Sequence, residues 1–157
     1  MFNLFVNISS KKVLKAVAIS CLLLFSCFPV FAGSYAVIIN ADNTFSGDKQ
    51  SAINTVKRLY LKIQSSWPSG SKVKLLARKD SSSIQKAFIK SILGMTDAEL
   101  AAHWISVKQK TGETPPRSVR SGRIVIKLVE KNSGGVSFIE SKDIPGLTNK
   151  AKVLFTF

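Results

Sequence analysis

The sequence predicts an α/β fold in which a mixed sheet is flanked by helices. Short apolar runs rich in Val, Ile and Phe alternate with stretches of helical periodicity, and capping signals stand where several of those stretches begin. With 45% apolar and 20% charged residues in 157, the chain is suited to one modest core rather than to disorder or two full domains. Strands interleaved with helices in this way indicate an α/β sandwich.

The first 32 residues stand apart. Lys11, Lys12 and Lys15 precede an apolar run from Ala16 to Phe28, followed by Pro29-Val30-Phe31-Ala32 before Gly33. The small residues Val30 and Ala32 suit signal peptidase, and the run is short for a membrane span. Residues 1–32 therefore read as a cleaved secretory signal and 33–157 as the mature domain, without a transmembrane segment. An uncleaved anchor is one alternative. Lipoprotein processing at Cys27 is another, because Leu24-Phe25-Ser26-Cys27 loosely resembles a lipobox. Both cysteines, Cys21 and Cys27, lie in this segment. An exported domain without cysteine has no disulfide scaffold and no thiol nucleophile, and a structural zinc site is not expected.

In the mature chain, Tyr35-Ala-Val-Ile-Ile-Asn40 is β-branched and almost wholly apolar, as a strand covered on both faces would be. Thr44 to Gly47 breaks it. From Asp48 to Ile63 the positions Ile53, Val56, Tyr60 and Ile63, with Leu59 beside them, follow helical spacing. Trp67-Pro-Ser-Gly70 is a turn, and Val73 to Ala77 a second strand. A helix over 82–93 carries Ile84, Phe88, Ile89 and Ile92 inward and ends at Gly94. Thr96-Asp-Ala-Glu99 is a capping box, with Met95 and Leu100 as its staple, opening a helix through His103, Trp104 and Val107. Gly112 to Pro116 reads as a loop. Ser121 can cap a helix reaching Lys131, although Ile124-Val125-Ile126 fits a strand equally. Asn132 to Gly135 is a turn, and Val136–Ile139 and Lys152–Phe157 are the last strands.

The segment richest in chemistry is Lys74-Leu-Leu-Ala-Arg78-Lys-Asp80-Ser-Ser-Ser83, a strand running into a helix. Ligands of open α/β sheets sit outside the carboxyl ends of strands, where first-turn amides and the helix dipole favour negative charge. Arg78 can add a bidentate contact to a tetrahedral oxyanion beside Ser81, Ser82 and Ser83. Asp80 either orients Arg78 or caps the helix. The plain alternative is an ordinary junction, with Ser82 and Gln85 as a capping box.

Other chemistries are poorly supplied. His103 is the sole histidine, which argues against a metal site and against a serine–histidine nucleophile; the carboxylates are few and scattered, so no catalytic residues are expected. No cofactor is implied. The net charge of +14 gives long-range attraction for polyanions, with Arg120, Arg123 and Lys127 on one helical face and Lys142, Lys150 and Lys152 adding to it. No aromatic platform interleaves with these cations, so nucleic acid is not the expected partner.

Taken in order, Ala-Val-Ile-Ile-Asn40, Trp67-Pro-Ser-Gly70, Arg78-Lys-Asp80-Ser-Ser82-Ser83, the Phe88 helix ending in Leu93-Gly94, Trp104, Thr-Gly112-Glu-Thr-Pro-Pro116 and Gly135-Val-Ser-Phe138-Ile139 resemble the phosphate-binding proteins of bacterial ABC transporters, and more closely their short exported relatives. The resemblance implies a single lobe of the type II periplasmic-binding-protein fold. It also implies a periplasmic, non-enzymatic protein that binds phosphate or a similar small oxyanion for uptake or sensing. An ABC permease, a sensor protein or a second copy would be its partner. In large members the corresponding segment reads Arg-x-Asp-Gly-Ser-Gly-Thr. Arg78, Asp80 and Ser82 match it, Ser81 and Ser83 occupy the glycine places, and Ile84 stands where the threonine hydroxyl would be. Ser137-Phe138 replaces the usual Gly-Tyr and looks structural. A protein-interaction module that kept the lobe and lost the ligand is the competing expectation.

Overall fold

The computed structural model describes residues 34–157, so the expected signal segment and the alternative at Cys27 lie outside the described residues. Strand β1, Tyr35–Asn40, is buried at every position but its first. Its alternating side chains feed two separate cores: Val37 and Ile39 enter one, Ala36 and Ile38 the other. Helix α1, Lys49–Tyr60, starts where the Asp48 side chain accepts from the Ser51 N–H and buries Ala52, Val56, Leu59 and Tyr60. It stops short of Ile63, which is 61% exposed. Lys62 takes a left-handed φ of 55°, which turns the chain before Ile63 can join the apolar stripe.

Strand β2, Lys74–Arg78, leads to helix α2, Ser83–Phe88, which widens into a π-helical turn at Ile89–Leu93 and ends at left-handed Gly94. Helix α3, Asp97–Thr111, carries the full Thr96–Glu99 capping box, but only Trp104 is buried along it. Strand β3, Arg117–Val119, is short and mostly exposed, which explains why no strand signal stands out there. The ambiguous segment after it is helix α4, Gly122–Lys131, capped by Ser121 and burying Val125, Ile126 and Val129 on one face. Strand β4, Gly135–Glu140, a 3-10 turn at Ser141–Gly146 and strand β5, Ala151–Thr156, complete the described chain.

The five strands form one mixed sheet in the order β3-β2-β4-β1-β5. Strands β3, β2 and β4 run parallel, whereas β1 is antiparallel to both β4 and β5. One face packs on α1 and α2 through Phe88, which stacks on Phe138 with centroids 4.0 Å apart and planes at 8°. Tyr60 Oη and Ser137 Oγ both donate to the Leu76 carbonyl, at 2.7 and 3.0 Å. The Ser137-Phe138 pair is thus structural. The other face packs on α4 through Leu76, Val125, Val129 and Ile139. Because β3, β2 and β4 are parallel, their carboxyl ends meet at one sheet edge. That edge bears Arg78, the Arg120-Ser121 turn into α4, and the Ser141–Gly146 turn.

Candidate functional site

Arg78 is the last residue of β2, the strand between β3 and β4, and it is only 7% exposed. Alternation along β2 sends its side chain to the α4 face, the side occupied by Leu76. Its Nη2 donates to the Arg120 carbonyl at 2.9 Å. Its Nε and Nη1 are buried and have no hydrogen-bond partner among the described residues. Burial pushes the guanidinium below the usual arginine range, against the opposing influence of the Asp143 and Glu140 carboxylates. Two unmatched donors on a buried cation carry a desolvation cost of about 1–3 kcal/mol each, which an anionic acceptor would remove.

The serines lie differently. Ser82 Oγ donates to the Lys79 carbonyl at 2.6 Å and accepts from the Gln85 N–H at 3.4 Å, while the Ser82 N–H also turns to Lys79. Ser81 and Ser83 are exposed. Among the described residues no hydrogen bond joins Arg78 to Ser81, Ser82, Ser83 or Asp80. The capping box expected at Ser82 and Gln85 is half made. The Gln85 side chain turns away from the Ser82 backbone and accepts the Arg78 N–H at 2.9 Å. It is Ser82 that caps α2. Ile84 is 1% exposed and belongs to the core, so the place of the missing hydroxyl is filled by packing.

Residues not singled out from the sequence surround the guanidinium instead. A side chain at Gly122 would place its Cβ 2.7 Å from Asp143 Oδ2 and 3.6 Å from Arg78 Nη1. Gly122 therefore lets the Asp143 carboxylate approach the first turn of α4, where Arg78 Nη1 already stands at ordinary contact distance. The signal for this was Ser121-Gly122 ahead of an apolar run; nothing local marks Asp143, which arrives from the turn after β4.

On the opposite face, a cavity of about 570 Å³ is lined mainly by apolar side chains, among them Tyr60, Phe88, Leu93 and Trp104, with Asp80 and Gln85 at its border. A second cavity of about 300 Å³ adjoins Asp143 and is bordered by Arg123, Lys127, Lys142 and Glu130. Among the described residues no group of three His, Cys, Asp or Glu side chains is placed to hold a metal ion, and no helix is long and apolar enough to cross a membrane.

No family model and no curated protein sequence matches the chain. Solved structures do. An ABC-type phosphate transport receptor from Vibrio cholerae superposes with a TM-score of 0.56 at 18% identity, over 79% of this chain and 46% of the receptor. The lobe has the fold of such receptors. PstS from Borrelia burgdorferi gives a TM-score of 0.59 at 13% identity, over 79% of this chain and 47% of PstS. A possible phosphate binding protein from Planctomyces limnophilus gives 0.53 at 12% identity, over 80% of this chain and 42% of that protein. The chain thus spans less than half the length of each of these proteins.

Proposed function

We propose that this chain is a periplasmic, non-enzymatic lobe that binds phosphate or a similar tetrahedral oxyanion at the carboxyl end of β2, in uptake or sensing, after removal of residues 1–32. Arg78 supplies the charge, with Asp80 and Ser81, Ser82 and Ser83 following it in the chain into the start of α2. The observation that carries this reading is the Arg78 guanidinium, buried with two donors unmatched. A tether to Arg120 uses one donor of the guanidinium and leaves Nε and Nη1 unexplained. The fold of the phosphate receptors adds support. Affinity is expected to be modest, because one lobe leaves the anion partly in water. A second copy, an ABC permease or a sensor protein would close the site. Calorimetric titration with phosphate and with sulfate, repeated on Arg78→Ala, is the test. Heat from wild type that disappears in the variant supports the reading, and no heat at millimolar anion ends it.

A second reading, an interaction module on the same fold without ligand, is favoured by one specific observation: Ile84 is committed to the core and offers no hydroxyl at the strand end. A specific partner recovered from an envelope extract and retained by Arg78→Ala would support it.

A further inference from the structure

We infer that the oxyanion is held on the α4 side of the strand end, between the Arg78 guanidinium and the first turn of α4, and that Asp143 stands in this place in the free protein and is displaced by the ligand. This rests on the reading of Arg78 as the anion-binding cation. Helix α4 has 10 residues, and its leading amides point out of the helix. Ser121 Oγ accepts from the Ile124 N–H, while among the described residues no acceptor engages the N–H groups of Gly122 or Arg123. The buried, unmatched donors of Arg78 lie beside the same turn, with Nη1 3.6 Å from the point where a Gly122 Cβ would be.

Asp143 is the group an arriving anion must replace. Its Oδ2 would lie 2.7 Å from a Gly122 Cβ, yet no ion pair with Arg78 forms, so the carboxylate occupies the place without satisfying the guanidinium. Asp143 is partly buried on the short turn that follows β4. Directly outside it lies the 300 Å³ cavity bordered by Arg123, Lys127 and Lys142. Lys142 is paired with Glu140, but no ion pair among the described residues engages Arg123 or Lys127. These cations draw a small anion toward the turn, and a tetrahedral oxyanion satisfies more of the converging donors than a planar carboxylate set back from them.

Titration of the full chain with inorganic phosphate, followed by calorimetry, distinguishes the subsite from its alternatives. Asp143→Asn should tighten binding about tenfold, and Arg123→Glu with Lys127→Glu should weaken it by about the same factor. Asp42→Asn makes the same charge change beyond β1, at the other end of the sheet, and should leave affinity within twofold of wild type. Equal tightening in Asp42→Asn and Asp143→Asn would reduce the effect to net charge and overturn the inference. So would unchanged or weaker binding in Asp143→Asn while Arg78→Ala abolishes it, which would leave the Arg78 reading standing and move the anion to the serine side. Absence of binding by wild type and by Asp143→Asn would remove both.

Discussion

Arg78 Nη2 donates to the Arg120 carbonyl at 2.9 Å, tying the end of β2 to the turn that begins α4. That single bond fixes a cation whose other donors stay unmatched. A tether and a binding group make opposite demands on stability, and the two can be separated.

Arg78→Met keeps much of the stem's bulk and removes the charge. It loses one charge-assisted bond and relieves two unmatched donors, so thermal stability should stay within about 1 kcal/mol of wild type while the phosphate response vanishes. A loss of several kcal/mol in chemical denaturation would show Arg78 to be chiefly a tether.

Ile84→Thr restores the hydroxyl found in the large phosphate-binding proteins. Here the side chain is 1% exposed within the core. Denaturation should show a loss of about 1–3 kcal/mol, with no gain in anion affinity.

Gly134 meets the Lys72 backbone, and a Cβ there would stand less than van der Waals distance from the Lys72 carbonyl oxygen. Its own carbonyl accepts from the Lys74 N–H at 2.9 Å and from Trp67 Nε1 at 3.1 Å. Because backbone cannot give way as a flexible side chain does, Gly134→Ala should cost about 3 kcal/mol or more, read as a lowered denaturation midpoint.

At the start of α3 the Thr96 backbone N–H, and then its hydroxyl, hold the Glu99 carboxyl below the usual glutamate range. A depressed carboxyl stabilises the fold above its unfolded value and loses that contribution as falling pH carries it through its folded one. Thr96→Ala removes the cap and the hydroxyl's share of that effect but keeps the backbone N–H, so it should lower the denaturation midpoint at neutral pH, with only a small part of the difference fading in acid below the ordinary glutamate range.

Most elements of the lobe were legible because each has a local cause. The Tyr35–Asn40 run, the Gly94 stop and the Thr96–Glu99 box act within a few residues and appear as written. Ser121 resolved the ambiguous apolar run at 124–126 in favour of a helix. Strand β3 was not legible, because its pairing with β2 and not its own composition makes it a strand. The same division runs through the site. The place of Arg78 at a strand end has a local cause, whereas Gly122 and Asp143 come near it from 44 and 65 residues along the chain, by a topology no local motif records. Gln85, read as half of a cap, was drawn off by the backbone of Arg78.

Anion binding by this chain turns on the Arg78 side chain, and nitrogen-15 NMR of arginine Nε–H groups observes it directly. The Nε–H resonance that is absent from Arg78→Lys should move progressively and saturably as phosphate is added, with chloride at equal ionic strength leaving it in place. A resonance that stays fixed through millimolar phosphate, while the protein remains folded, would exclude Arg78 as an anion-binding group.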